Sequence, residues 1–245
     1  MPRATRFMPA TRFTRVRRFT RAGLLAVMTV SAVTAWGQAL PEDWETACPG
    51  AAAFEASHPE RHYRAMQARD AGRALTRPEL VTELQRRFDA DQKARRDYLN
   101  GRNARDLAVV QRVDDDNFGW MTDEVRQHGF PTVASVGEYG LHLLWLLVHH
   151  ADSHPRVQRA FLSEFETRFQ AGEFSPEDLS QFTDRVHVRE GKPQLFGTQN
   201  DWARADLSGQ RIGNLEEIER NRATLGLMSL ADYGCKMHAA RKRRD

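Results

Sequence analysis

Along most of this 245-residue chain, apolar side chains recur at steps of three and four, the spacing that lines one face of a helix. Thr76-Arg77-Pro78-Glu79 reads as a capping box with proline in the first turn. A helix is expected from there to about Leu99, with Leu80, Leu84, Phe88 and Asp91 on one stripe and Asn100-Gly101 as its stop. Asn103 is placed to cap a second helix through Val113. Asp114-Asp115-Asp116-Asn117 then reads as the start of another, running through Trp120, Met121 and Val125 to Gly129. Ser135-Val136-Gly137-Glu138 is a second capping box. It opens Tyr139 to Val148, a stretch apolar on all sides and so expected to be the central buried helix. Pro155 starts an amphipathic helix with Val157, Phe161, Phe165 and Phe169 at four-residue steps, and Ser175-Pro176-Glu177-Asp178 caps the next, to about Asp184. Between Val186 and Phe196 the period changes. Val186, Val188, Leu195 and Phe196 flank Glu190-Gly191, which predicts a short β-hairpin. A last helix is expected over about Leu215 to Leu225. The expected fold class is mainly α, a single-domain helical bundle with a small β-hairpin. The helical domain spans 76–235, after a helical or irregular lead-in at 40–75 and before a basic tail at 236–245.

Composition matters here for where the charge sits. The chain carries 36 Lys+Arg against 33 Asp+Glu, a formal +3, which taken whole suggests an anionic partner. Seven of the arginines (Arg3, Arg6, Arg12, Arg15, Arg17, Arg18 and Arg21) lie in residues 1–39, which hold no acid and lead into an apolar run from Gly23 to Val33. A basic stretch, a short apolar core and small residues at Gly37-Gln38-Ala39 describe a secretory signal peptide. The run is too short for a hydrocarbon layer of roughly 30 Å. Without that segment 29 basic residues face 33 acidic ones, and residues 40–240 alone stand at −7. Nucleic acid is thereby excluded as the expected partner, and no transmembrane span is expected in the mature chain. The protein is read as exported, periplasmic or secreted. In an oxidising compartment the two cysteines, Cys48 and Cys235, are expected to pair. The alternative is two buried thiols.

The chemistry-bearing residues gather after the most apolar helix. His149-His150-Ala151-Asp152 follows Trp145-Leu146-Leu147-Val148, and His150 shares a face with Leu143 and Leu147. A buried imidazole needs its nitrogens paired, and Asp152 or Asp184 are candidates for that. His150 is thus the candidate general base, with Asp152 or Asp184 as the carboxylate that orients it. Arg185 and Gln199 are candidate anion or carbonyl binders. The same residues also suit a core histidine with Asp152 capping the next helix. His149, His150, Asp152 and His154 fall on different faces and across a helix break, so no metal site is assigned to them. Asp114 to Asn117 lacks the glycine and terminal glutamate of a calcium loop. A Gly-rich phosphate loop, a Gly-x-Ser-x-Gly elbow and a His-Glu-x-x-His pair are all missing from the sequence.

Trp145 to Asp152, Asp184-Arg185, Gly191-Lys192-Pro193-Gln194-Leu195-Phe196-Gly197-Thr198-Gln199 and Arg222-Ala223-Thr224-Leu225-Gly226-Leu227, taken in order, resemble an uncharacterised bacterial family, the domain of unknown function 6624. The likeness spans roughly residues 78 to 233 and includes Asp91-Gln92 and Asp116. It implies a shared fold and a recurring set of polar positions, with no reaction attached. In that pattern His149 is more often Gln and Phe196 more often Tyr. Asp91, Asp116, Gln194 and Thr198 accordingly join Arg185 and Gln199 as candidate ligand-binding residues. Three readings stand together: a hydrolase using His/Asp acid–base chemistry in a polar cleft around the buried helix; a non-catalytic module binding a small molecule or an envelope component; and a purely structural polar network. The sequence names no cofactor.

Overall fold

A computed structural model describes residues 43–200 and 213–242. The expected signal peptide, 1–39, and the end of the basic tail lie outside them. Ten α-helices and one 3-10 turn make up the described residues, with no strand among them. The apolar run forms α6 (Val133–His149), and from Leu141 to Val148 every side chain is buried. A helix apolar on all sides needs neighbours on all sides. On one side α4 (Pro78–Gly101) and α5 (Ala104–His128) pack as a hairpin of long helices. On the other, α7 (Pro155–Gln170) and α8 (Pro176–Arg189) do the same. Leu80 and Leu84 of α4, Met121 of α5, Phe161 and Phe165 of α7 and Phe182 of α8 meet Leu141, Leu144 and Trp145 in one core. Each such burial contributes about 1.5–3 kcal/mol before entropy is charged against it.

α6 begins one turn earlier than its sequence suggests. Thr132 and Ser135 cap each other across its first turn, and Gly137 then leaves helical geometry at φ 77°. The helix restarts because Asp70, from α3 (Tyr63–Asp70), accepts hydrogen bonds from the backbone N–H of Glu138 and Tyr139. A Cβ at position 137 would strike that carboxylate. The smaller elements α1 (Trp44–Ala47) and α2 (Pro49–Ser57) pack on α10 (Leu230–Lys242), which also meets α9 (Leu215–Thr224). Cys48 and Cys235 form a disulfide across 187 residues, with their Cα atoms 5.7 Å apart.

The expected β-hairpin at 186–196 does not form. α8 continues to Arg189, and residues 190–200 run as an irregular loop. The reason is the destination of the loop's backbone donors. Asp184, wholly buried on α8, takes the N–H of Leu195 (2.7 Å) and Phe196 (3.0 Å) on Oδ1. Its Oδ2 takes the N–H and the hydroxyl of Thr198, both at 2.8 Å. One carboxylate thus replaces a partner strand. Arg222 and Asn221 of α9 donate to the carbonyls of Phe196 and Leu195, and Gln194 folds back to bond both N–H and C=O of Gln199. Gly197, at φ 69°, sits against Leu230 and Ile218, where a Cβ would collide. Burial pushes the Asp184 pKa up, and these hydrogen bonds work against the rise.

Replacing Asp184 by Ala strips three backbone N–H groups and a hydroxyl of their acceptor. Urea denaturation should show a loss of about 3–5 kcal/mol, against about 1 kcal/mol for Thr198→Val. An Asp184→Ala protein as stable as wild type would show that the loop is held by something else.

Candidate functional site

The stripes that build the core change character towards one end of the bundle. On α4 the buried positions run Leu80, Leu84, Arg87, Asp91, and on α5 they run Met121, Asn117, Val110 with Asp114 on the same stripe. α6 ends in His149 with His150 as its cap residue, both buried, and α8 contributes Arg185. Charged and imidazole side chains therefore occupy positions whose helical spacing belongs to the core.

His150 lies with Asp91, its Nδ1 2.9 Å from Asp91 Oδ1. Arg95, one turn beyond Asp91 on α4, places its Nε 3.1 Å from that same oxygen and 3.0 Å from His150 Nδ1, and its Nη2 2.5 Å from Asp114 Oδ1. Gln92 donates to the other oxygen of Asp91 at 2.9 Å. Ligating atoms of Asp91, Asp114 and His150 all lie within 4.8 Å of one another. Beside this group Arg185 forms a two-pronged pair with Asp152, Nε to Oδ1 at 2.9 Å and Nη2 to Oδ2 at 2.6 Å, and Arg189 reaches the same carboxylate. Arg185 Nη1 also donates to Gln199 Oε1 at 3.3 Å. Gln158, fully buried on α7, donates to the carbonyls of Val148 and His149 and so satisfies the end of α6.

The electrostatics follow from burial among unequal numbers of charges. Burial lowers the His150 pKa, Arg95 adds to the effect and Asp91 opposes it, so the imidazole is neutral at pH 7. His149 is driven well below its ordinary value by burial, and then by Arg185 and His150. For Asp91 burial opposes ionisation, yet His150, Arg95 and Gln92 outweigh it and hold the carboxyl below its usual range. Asp152 behaves likewise, held down by Arg185 and Arg189 against burial. Asp114 goes the other way. Burial pushes it up to about 7, and Asp91 reinforces the rise against the pull of Arg95. His149 Nδ1 and Nε2, and His150 Nε2, are buried with no hydrogen-bond partner among the described residues. Side-chain exposure grows outward from this point, from 3% at His150 to 16% at Asp114, 25% at Arg95 and 31% at Asp152. The group is therefore reached from the Arg95–Asp114–Asp152 edge.

Of the residues singled out from the sequence, His150, Asp91, Asp152, Arg185 and Gln199 come together in this layer. The carboxylate on His150 is Asp91, while Asp152 serves Arg185. Asp184, Thr198 and Gln194 organise the 194–200 loop behind Gln199. Asp116 is exposed and pairs with Arg87, whose guanidinium lies 4.4 Å from the Trp120 ring centroid. Arg95 and Gln158 carry no signal that separates them from ordinary surface positions. Asp114 does, because it falls three residues before buried Asn117 and seven before Met121 on one helix stripe.

The arrangement offers two chemistries. A neutral histidine oriented by a carboxylate can accept a proton, and two carboxylates with an imidazole form a donor set for a cation. Neither the curated proteins nor the solved structures contain a match to this chain. The family model described as a family of unknown function (DUF6624) matches residues 78–242, from the start of α4 to the end of α10 and so across the whole polar layer; the chain belongs to that family.

Proposed function

We propose that the protein is an exported hydrolase-type enzyme whose reacting centre is the polar layer at the end of α6. His150 and Asp91 handle the proton of the attacking water, and Arg185 with Gln199 receives the carbonyl or anionic group of the substrate. The observation that carries this reading is the His150–Asp91 pair. We read the 2.9 Å contact with a carboxylate as donated by Nδ1–H, the tautomer that leaves the lone pair of the buried Nε2 unpartnered. That is the arrangement a general base requires: neutral at pH 7, oriented by a carboxylate, with one nitrogen free. Asp114, poised near neutrality, is the companion acid that returns a proton to a leaving group. Export is supported by the arginine-rich segment at 1–39, by the disulfide and by the sequence-derived charge of the mature body. No described helix is long and apolar enough to cross a membrane.

Purified protein should turn over at least one class in a panel of chromogenic ester, phosphoester, amide and glycoside substrates. His150→Gln should lower kcat/KM by roughly 10²–10⁴-fold with little change in melting temperature. Because the base works unprotonated with a pKa below 6.5 and the acid Asp114 works protonated with a pKa of about 7, kcat/KM should fall on both sides, on acidification below pH 6.5 and as pH rises above about 7. A panel without wild-type turnover, or a His150→Gln variant with full activity, ends the hydrolase reading and leaves the binding module.

Export has its own readout. Protein recovered from a bacterial periplasm should begin after Ala39 by intact mass and show no alkylatable thiol when denatured without reductant. A chain that keeps residues 1–39 and two free thiols would contradict it.

A further inference from the structure

The three groups at the centre of the layer share a feature that proton transfer alone leaves unused. Asp91 Oδ1 and Asp114 Oδ1 both accept from the guanidinium of Arg95, through Nε and Nη2, and His150 Nδ1 lies 3.0 Å from the same Nε, so a positive charge stands beside all three groups. Arg95 Nε–H donates to Asp91 Oδ1 while it also faces His150 Nδ1 at 3.0 Å, and with the ring proton on Nδ1 that second contact sets two donors against each other. Once Asp114 is ionised, two carboxylates against one guanidinium leave one negative charge in excess. The fully buried His149, whose ring centroid stands 6.0 Å from that of His150, has neither nitrogen partnered.

We propose that Asp91, Asp114 and His150 form a binding site for a divalent first-row transition-metal ion such as Mn²⁺ or Zn²⁺, with Arg95 holding the seat until the ion displaces it. Two carboxylates neutralise a divalent ion, which a single guanidinium does not do for them. The 2.9 Å between Asp91 Oδ1 and His150 Nδ1 is the separation of two adjacent ligands at about 90° on an ion roughly 2.1 Å from each. A mixed oxygen and imidazole set suits Mn²⁺, Fe²⁺ or Zn²⁺, whereas Ca²⁺ asks for six to eight oxygens. The His150 proton moves from Nδ1 to Nε2 when Nδ1 takes the metal, so no proton is lost from the ring. Arg95 has a way out, since a quarter of its side chain already meets solvent. Three protein ligands leave positions open for water. The inference rests on the reading of this layer as the reacting centre and changes the agent there: with His150 and Asp91 as ligands, the ion would lower the pKa of a bound water, whose proton would pass to bulk solvent at the exposed edge.

The test is binding, measured without any substrate. The full mature chain, stripped with a chelator and dialysed against Mn²⁺ or Zn²⁺ singly, should retain about one equivalent of metal by mass spectrometry of the eluted elements. Mg²⁺ and Ca²⁺ should be lost on gel filtration. Asp114→Asn, at the solvent-facing edge, should weaken calorimetric affinity by more than about 100-fold, beyond the 10–100-fold typical of residues behind the ligands. Arg95→Met removes the competing cation and should bind more tightly than wild type by about 10-fold or more, a gain that a merely structural Arg95 would not produce. Wild type retaining under a tenth of an equivalent of every ion, Asp114→Asn binding as wild type does, or Arg95→Met binding no tighter each overturns the proposal. Asp114→Asn is the principal variant because Asp91, wholly buried, risks the fold. Failure here is distinguishable from failure of the hydrolase reading. One equivalent of metal with an empty substrate panel keeps the site and ends the hydrolase. His150-dependent turnover in metal-free protein does the reverse.

Discussion

A helix buried on every side has to end somewhere, and its last turn carries carbonyls with no intrahelical partner. α6 ends inside the protein, and much of the polar architecture follows from that constraint. Val148 and His149 present their carbonyls to the interior and receive the amide of Gln158. The next residues, His150 and Asp152, arrive at a depth where a charge or an imidazole needs company. Asp91, Arg95 and Asp114 come from α4 and α5 on one side, and Arg185 and Arg189 from α8 on the other. Surface helices with the same side chains would form scattered i,i+4 pairs of little consequence. Around a buried helix end they form a connected layer.

The same constraint explains which parts of the molecule can be read from sequence. Long helices announce themselves because one face must repeat every 3.6 residues to meet α6, and α4 and α7 are legible for that reason, while α6 is legible because it is apolar on all sides. α5 is legible as helix but not as one helix. Three consecutive aspartates look like an N-terminal turn favoured by the dipole, yet Ala104–His128 runs unbroken, with Asp114 on the buried side and Asp116 on the exposed side. The hairpin misleads for a different reason. Alternating Val and Leu around a Glu-Gly turn satisfy the period of a strand, but period says nothing about where backbone donors go. Asp184, eleven residues before Leu195, takes them. A side chain acting as a strand's partner has no sequence period, and only its burial gives it away.

The centre of the layer was half legible. His150 and Asp152 stand out because polar residues follow an apolar run directly, and Arg185 because it accompanies a buried stretch of α8. Asp91 was visible on the stripe of Leu80, Leu84 and Phe88, although its partner was not. Arg95 is invisible, since Asp91-x-x-x-Arg95 is also an ordinary form of a solvated helix pair. What separates the two cases is the depth of Asp91, a property of α5 and α6 packing over α4.

A purely structural account of the layer meets an energetic objection. Buried ion pairs barely repay their desolvation, and apolar side chains of similar size commonly do as well or better. A network kept for stability should at least satisfy its own members. The loop around Asp184 meets that standard: every acceptor position on the carboxylate is used, and every donor facing it is paired. The layer at His150 does not. Three imidazole nitrogens lie buried and unpaired among the described residues, one guanidinium N–H faces an imidazole as well as a carboxylate, and burial pushes the Asp114 pKa up to about 7. Side by side on the same bundle, one polar cluster is closed and the other is not, with its unpartnered nitrogens buried and its poised carboxyl towards the edge that solvent reaches. Unsatisfied buried groups cost about 1–3 kcal/mol each. That cost has no return in the folded chain alone, which is what supports the proposal that the layer binds a ligand.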